Sequence, residues 1–229
     1  MHKHIPYIIV LVSLLYLGGC SSADDEAVEL DFGYDYFPLE IGNFREYQVL
    51  EVNFLSAGPD TSRYQLREEI TDSIRNGDLI TYTLERSVRA NAQLVWELDS
   101  VWTTRITARE AVQVENNVPI VKIQFPVETG RVWDSNVFNT LSEQTYESQL
   151  VMSDTLDRDV LRVIVEDIPQ NIVLKDERSE YYARGIGLIY RDFETLNFCT
   201  VDCETVMEVE SGRILDQRLI AFGVAEEDN

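Results

Sequence analysis

LVWELDSVWTTRI, residues 94–106, is the stretch that decides the fold. Its even positions are apolar at Leu94, Trp96, Leu98, Trp102 and Ile106, and its odd positions are mostly polar. Side chains alternate between the two faces of a β-strand, so a period of two predicts a strand with one buried and one solvated face. We therefore expect the even-numbered residues from Leu94 to Trp102 to be buried together.

The same alternation recurs in the preceding part of the chain. Apolar residues occupy most even positions of residues 79–88, and related spacings occur in residues 64–74. The dipeptide Asn76-Gly77 lies between these two stretches and favours a tight turn, so we predict a β-hairpin there. The pair Asn116-Asn117 predicts a second turn between strands.

Strands are predicted throughout the remaining sequence as well, and no stretch beyond the leader has the long apolar stripe of an amphipathic helix. Their ranges are 46–54, 111–115, 120–125, 144–152, 160–166, 172–175, 181–183, 187–193, 205–210 and 213–222. Many short alternating strands separated by turns are typical of antiparallel β proteins. We predict one all-β domain over residues 36–224, an antiparallel barrel, half-barrel or sandwich of about ten or more strands.

One short motif occurs twice. The pattern Phe-Pro-apolar-Glu-x-Gly fits residues 37–42 and fits residues 125–130 again, 88 positions later. Proline can begin a central strand but not continue it, and glycine permits a turn, so each copy is expected to lead the chain from a loop into a strand. The echo indicates either a duplication into two similar halves or the reuse of one local turn device.

The N-terminus has the form of a secretory leader. Lys3 precedes an apolar run over residues 5–17, which is too short to span a bilayer comfortably and suits the core of a signal peptide. The residues Leu17-Gly18-Gly19-Cys20 resemble the lipobox of bacterial lipoproteins, in which the cysteine is diacylated before cleavage. This resemblance implies that residues 1–19 are removed and that Cys20 carries a lipid anchor.

Acidic segments flank the predicted domain. Residues 20–35 are predicted to be a flexible acidic tether and residues 225–229 an acidic tail. The run Ser21 to Glu26 either resembles the surface-export tether of Bacteroidetes lipoproteins or is a plain acidic linker. The chain carries a formal charge of −22, and loss of Lys3 with the leader makes it −23. Nucleic acid is a poor partner for such a surface, because its binding depends on Lys and Arg, and membrane attachment must come from the lipid.

The mature chain offers few of the residue types on which catalysis commonly depends. Both histidines, His2 and His4, lie in the leader, which removes Ser-His-Asp catalysis and His-bearing zinc sites. Cys199 and Cys203 are then the cysteines left beside the lipidated one, and in an oxidising envelope we expect a disulfide between them. The alternatives are free thiols or an intermolecular bond, and a redox function of the two cysteines. The sequence contains no phosphate-binding or EF-hand loop, so we expect no cofactor and no metal.

Three blocks of the sequence resemble one family. They are YFPL with GN within residues 36–43, ENN with FPV, Gly130 and Trp133 within residues 115–133, and YAxGxGLI at residues 182–189. These blocks resemble outer-envelope lipoproteins from Bacteroidetes, a family that implies a location but no activity. The third block also resembles a strand of half-barrel envelope proteins similar to the lipoprotein carriers of the outer membrane.

These observations together predict a non-catalytic lipoprotein of the outer membrane, on its periplasmic face or at the cell surface. The protein would hold an apolar ligand against the concave face of a half-barrel, or would serve as an accessory subunit of an outer-membrane complex. The residues expected to contact an apolar ligand are Tyr82, Trp96, Leu98 and Trp102, although the two tryptophans also suit a core. A carboxylate-based glycoside hydrolase is a third hypothesis, because 41 Asp and Glu residues leave many pairs available.

The lipid anchor can be tested with the substitution Cys20→Ala. We expect an unacylated precursor that keeps residues 1–19, because acylation needs the thiol and cleavage at this site follows acylation. Intact mass spectrometry of protein extracted from membranes measures both changes. Recovery of a normally processed, acylated protein from this variant would exclude Cys20 as the anchor.

Overall fold

Strand residues dominate the chain, as the alternation predicts. The computed structural model describes residues 30–153, 158–203 and 205–225. The predicted leader, Cys20, most of the tether and most of the acidic tail lie outside these residues. The body described below begins at Phe32. It contains a short 3-10 helix, Tyr34–Tyr36, and the strands β1 Asn43–Leu55, β2 Gly58–Asn76, β3 Leu79–Arg89, β4 Glu97–Ile106, β5 Glu110–Glu115, β6 Val118–Gln124, β7 Arg131–Asp134, β8 Thr145–Ser153, β9 Arg158–Ile168, β10 Leu174–Ala183, β11 Gly187–Phe198 and β12 Val209–Val224.

The strands form one 12-stranded antiparallel sheet in which consecutive strands pair within β1–β6 and within β7–β12, and β1 pairs with β12. The two outermost strands, β6 and β7, meet at a seam. There Val121 N donates to Ser135 O at 2.9 Å, and Trp133 Nε1 donates to Val121 O at 3.0 Å. The sheet is therefore a nearly closed barrel, which leaves little free strand edge. The predicted all-β antiparallel fold is confirmed, and its architecture is the barrel.

Residues 32–42, which we call the plug, cover one end of this barrel. Tyr36 is fully buried and Phe37 nearly so, because both rings pack into the main core. Backbone hydrogen bonds tie the plug to that end, from Gly42 N to Ile70 O, from Gly185 N to Asp35 O and from Val127 N to Phe32 O. We call this the plug end. The opposite end, which we call the far end, carries residues 90–96, 135–144, 169–173, 199–203 and 205–208.

The two copies of the Phe-Pro-apolar-Glu-x-Gly motif occupy equivalent places in the barrel. Gly42 immediately precedes β1 and Gly130 immediately precedes β7, so each copy leads into a run of six strands. Both glycines have a positive φ, 88° and 82°, a conformation that favours glycine. Phe37 and Phe125 are both buried. An internal duplication remains a prediction. In the topology, both copies of the motif lead from a loop into the first strand of a six-strand run.

The prediction that the even-numbered residues from Leu94 to Trp102 are buried together is wrong. Trp102 is buried, but Leu94 is 52% exposed and Leu98 is 61% exposed. The reason is a β-bulge at Asp99 in β4, since the pairs with β3 are Ser87 with Leu98 and then Arg86 with Ser100. One extra residue inverts the alternation of every position before it.

The two tryptophans consequently lie on opposite faces of the sheet. The guanidinium of Arg86 stacks on Trp102 at 3.8 Å and that of Arg89 stacks on Trp96 at 3.9 Å. Arg86 and Arg89 are three positions apart in β3, so they project to opposite faces. Trp102 packs inside with Ile70 and Leu84, whereas Trp96 accompanies Arg89 on the outside.

Side chains fill the inside of the barrel. The main cluster draws on strands from both halves, and its fully buried members include Tyr47, Leu66, Ile123, Leu161 and Tyr182. Trp102, Ile70 and Leu84 form a second, smaller cluster below the plug residue Leu39. These buried side chains occupy the interior of the part of the barrel that the structure describes.

The predicted disulfide is present and joins Cys199 to Cys203 across the loop between β11 and β12. The Cα atoms are 5.7 Å apart, within the usual range for a disulfide. Cys199 N also donates to Glu208 O at 2.8 Å. The disulfide therefore closes a small loop at the far end of the barrel.

The bulge in β4 can be tested with two matched substitutions, Leu84→Ala and Leu98→Ala. Leu84 is fully buried, so its truncation should lower the free energy of unfolding by about 2–5 kcal/mol. Truncation of the exposed Leu98 should change that free energy by less than about 0.5 kcal/mol. Urea unfolding followed by tryptophan fluorescence measures both. If the two variants lost equal free energy of unfolding, Leu98 would have to be buried in the core, and the bulge would be excluded.

Candidate functional site

A group of four charged side chains lies inside the barrel, and we call it the ion cluster: Glu115, Lys122, Glu180 and Arg191. Lys122 Nζ lies 2.7 Å from Glu180 Oε1 and 3.2 Å from Glu115 Oε1. β6 and β10 are not neighbours in the sheet, so the bond from Lys122 to Glu180 crosses the barrel. Lys122 is the extra residue of a bulge against β5, a device that re-aims a side chain.

The remaining contacts satisfy the two carboxylates of the ion cluster. Arg191 Nε donates to Glu180 Oε1 at 2.9 Å, and the Tyr182 hydroxyl donates to Glu180 Oε2 at 2.6 Å. Gln113 Nε2 donates to Glu115 Oε1 at 3.0 Å. Glu180 is fully buried, and a buried charge is tolerated only with partners of this kind.

The pKa values of the ion cluster follow from burial and pairing. Burial acts to raise the pKa of Glu180, but the charges of Lys122 and Arg191 and hydrogen bonds from Lys122 and Tyr182 outweigh it and lower this pKa to about 2. The pKa of Glu115 is lowered in the same way against its own burial. Burial acts to lower the pKa of Lys122, yet the two carboxylates raise it. All four groups are therefore charged at neutral pH.

The ion cluster has no room for a substrate. The cavity beside it measures about 20 Å³, which is the space of about one water molecule. Glu115 and Glu180 are each held by cations, and their side chains fill the barrel. Their arrangement is that of a structural network and lacks the open cleft between carboxylates that glycoside hydrolysis needs.

A larger cleft opens at the far end, and we call it the far-end cleft. Its volume is about 480 Å³. The loop between β3 and β4 forms one wall of this cleft. A turn at Asn91 shapes the loop: Leu94 N donates to Asn91 O at 3.2 Å, and Gln93 N donates to Asn91 Oδ1 at 3.1 Å. Its apolar walls are Tyr64, Leu66, Val88, Ala90, Leu94 and Val95, and its polar rim is Arg86, Arg89, Glu97 and Asp99.

A second cleft lies between the plug and the strands β3 and β4. Its volume is about 570 Å³, and its walls include Asp35, Glu40, Asn43 and Asp78 as well as Tyr82. Several acidic and amide groups thus line this cleft, whereas the far-end cleft has a continuous aliphatic wall. An apolar ligand fits the far-end cleft better, because buried apolar surface is the main source of its affinity.

The four residues predicted to bind an apolar ligand do not come together. Tyr82 lines the cleft beside the plug, and Trp102 belongs to the second core cluster. Trp96 stacks on Arg89, and Leu98 is exposed. None of the four lines the far-end cleft. That these four residues bind an apolar ligand remains a prediction, and their separate positions in the barrel do not favour it.

The walls of the far-end cleft were partly visible in the sequence. Leu66, Val88 and Leu94 all belong to apolar positions of the alternating stretches. The sequence does not reveal that they meet, because the alternation that predicts a strand from Leu94 includes residues 94–96, which belong to the loop. Asn91, flanked by two alanines, is the signal that could have placed a turn there.

Neither a metal centre nor a spanning helix was found in residues 30–153, 158–203 and 205–225. No group of three or more His, Cys, Asp or Glu side chains in these ranges is arranged to hold a metal ion. No helix in the same ranges is long and apolar enough to cross a membrane. The lipidation site Cys20 lies outside them.

Comparison with known proteins identifies no family. No protein-family model matches the chain, and no curated protein matches it. Among solved structures, the chain is similar to a Bacteroides fragilis NCTC 9343 protein with a YmcC-like fold, whose export is inferred. The two are 12% identical with a TM-score of 0.38, and the match covers 84% of this chain and all of the other. A likeness at this level carries no argument about function.

The ion cluster predicts how stability depends on pH. The pKa of Glu180 is about 2 in the folded chain against 4.5 as its ordinary value, so its contribution is complete above about pH 4.5 and is lost as the pH falls from there towards 2. Glu180→Gln should remove this dependence and cost about 3–5 kcal/mol at pH 7, because it breaks a buried pair.

Urea unfolding at several pH values between 2 and 7 measures the effect, with the exposed Glu97→Gln as control. The control should keep the slope of the unaltered chain. An unchanged slope in Glu180→Gln would show that other groups set the acid sensitivity.

Proposed function

We propose that this protein is a non-catalytic lipoprotein of the outer membrane whose barrel binds an apolar ligand, such as an acyl chain, in the far-end cleft. The observation that carries the proposal is the cleft itself. Its volume of about 480 Å³ lies in the usual range for small-molecule sites, and such sites combine apolar walls with a few polar groups.

The proposal places the ligand at the mouth of the barrel. The sequence had favoured the concave interior, but the ion cluster and the main core occupy that space. Leu66 and Val88 continue the core outward into the cleft. An apolar ligand seated there would extend the hydrophobic interior of the protein, and burial would contribute roughly 25 cal/mol for each Å² of apolar surface.

The proposed location rests on the sequence. A leader of residues 1–19 followed by Cys20 resembles a lipoprotein signal, and the charge of −23 expected after cleavage argues against nucleic acid as a partner. The disulfide between Cys199 and Cys203 suits an oxidising compartment. None of these features distinguishes the periplasmic face of the outer membrane from the cell surface.

The proposed lack of catalysis rests on the surroundings of the carboxylates in three regions. Glu115 and Glu180 are paired with cations, and the cavity beside them has no space for a substrate. Carboxylates also line the two clefts, but all of them are exposed: Glu97 and Asp99 in the far-end cleft, and Asp35, Glu40 and Asp78 in the cleft beside the plug. A glycosidase acid depends on a shielded environment, so none of these groups supports a hydrolase.

A second candidate function is that of an accessory subunit, and the far-end loops favour it. Four separate loops there each present an exposed aliphatic side chain: Val95, Leu141, Ile172 and Val206. Apolar tips on several adjacent loops are the kind of surface that protein partners bury. Cross-linking of the membrane-anchored protein, followed by mass spectrometry of peptides from these loops, would identify such a partner.

Ligand binding can be tested with Val88→Trp, because the indole would fill the far-end cleft. A fluorescent fatty acid titrated into the unaltered protein should bind saturably, and Val88→Trp should weaken binding at least about tenfold. Val101→Trp is the matched control, since Val101 is exposed on the outer face of β4. It should bind like the unaltered chain.

Circular dichroism would first confirm that both variants keep the strand spectrum of the barrel. Equal binding by Val88→Trp and the unaltered protein would place the ligand elsewhere. No saturable binding by any of the three proteins would favour the accessory subunit.

A further inference from the structure

The stretch of β2 nearest the far end has a partner strand on one side only. Residues 58–63 of β2 pair with residues 50–55 of β1. Pairing between β2 and β3 begins at Gln65, which lies opposite Arg89. Residues 58–63 are all exposed. The barrel is therefore open along this part of β2, which we call the β2 edge.

Two hydrogen bonds show which backbone groups of β2 face β1. Ile70 O accepts from Gly42 N at 2.8 Å, and Tyr64 O accepts from Gln48 Nε2 at 3.0 Å. Gln48 belongs to β1 and Gly42 immediately precedes it, so both donors lie on the β1 side of β2. The N–H and C=O groups of successive residues alternate in direction along a strand. The even-numbered residues of β2 therefore face β1, and the odd-numbered residues face away from it.

Five backbone groups consequently have no partner strand at the β2 edge. They are the N–H and C=O groups of Thr61 and Arg63 and the C=O group of Pro59. None of them bonds to a loop or a side chain among the described residues. Pro59 agrees with this direction, because a strand tolerates proline where the missing N–H would face away from the sheet. The backbone of another extended chain matches such a row, since it presents donors and acceptors at the same spacing.

The remaining parts of this chain do not fit the β2 edge. Residues 226–229 follow Ala225 at the plug end and span at most about 14 Å. β1 rises about 24 Å over the seven residues from Asn43, at the plug end, to Leu50, beside the β2 edge. Residues 24–31 carry five acidic side chains, so the N-terminal segment has the same sign of charge as the barrel and is repelled by it. The β2 edge is therefore left for another molecule.

We propose that the β2 edge binds an extended segment of another polypeptide, one that carries Lys or Arg side chains, as an additional strand. The formal charge of −22 disfavours a second copy of this chain at the edge and attracts a basic partner. Asp60 is exposed on the edge and makes no ion pair in the described part of the chain, so it offers a contact to such a partner. This mode of binding would serve the accessory-subunit candidate and does not depend on a ligand in the far-end cleft.

Fluorescence anisotropy with a labelled nine-residue peptide that alternates Lys and Val tests the β2 edge on the unaltered, full-length protein. We expect saturable binding. The same peptide with every backbone nitrogen methylated has no donors for the edge and should bind at least about tenfold more weakly. A peptide with Glu in place of Lys should be weakened to a similar extent. No saturable binding, or equal binding of the three peptides, would overturn the proposal.

Thr61→Pro is the matched change on the protein side. Proline removes the outward N–H of Thr61 and keeps the pairing with β1, as Pro59 already does two residues away. Thr61→Val retains the N–H and should bind the Lys–Val peptide like the unaltered protein, whereas Thr61→Pro should bind it at least about tenfold more weakly. Equal binding by the two variants would contradict the edge. If Thr61→Pro does not fold, the methylated peptide still decides with the unaltered protein.

Two further measurements separate this proposal from its alternatives. Sedimentation equilibrium should find the unaltered protein monomeric, and a dimer that Thr61→Pro abolishes would assign the β2 edge to a second copy and overturn the proposal. The fluorescent fatty acid should bind Thr61→Pro as it binds the unaltered protein. Failure of the peptide to bind would then concern the β2 edge, and failure of the fatty acid to bind would concern the far-end cleft.

Discussion

The bond between Lys122 and Glu180 is the interaction on which the rest of the structure depends. It runs across the barrel from a strand of the first half to a strand of the second, and Glu180 binds Arg191 and Tyr182 as well. A fully buried carboxylate is stable only while these partners remain. Their positions in turn fix the distance between the two sides of the barrel. The same bond occupies the interior between β6 and β10, and the two large clefts lie at the far end and beside the plug.

The sequence predicted the fold class because period-two alternation survives in most strands, and the turn at Asn116-Asn117 is present with positive φ at both residues. It missed features that break the alternation. The bulge at Asp99 moved Leu98 outside. β10 was divided into two pieces because its middle, residues 176–180, is charged. Charged residues suggest a loop, yet here Glu180 points inward to cations that lie far away in sequence.

The candidate sites were less predictable than the fold for a related reason. The far-end cleft needs a loop to turn back over residues from two strands, and the ion cluster needs strands that are not neighbours. Neither relation is local, so neither leaves a periodic signal. The Phe-Pro-apolar-Glu-x-Gly motif was the one long-range signal in the chain, and both of its copies begin a six-strand run.

The pairing of β1 with β12 has a consequence for the order of the chain. Asn43 pairs with Val224 and Ala225 N donates to Gly42 O at 2.8 Å, so the two terminal strands lie side by side at the plug end. A linker that runs across the plug end from Ala225 to Phe32 would keep the plug and leave every strand neighbour unchanged. The turn of residues 125–130, which joins the seam strands, could then hold new termini. Such a circular permutant would begin at β7 and end at β6, with the order of the two halves exchanged and the same barrel retained.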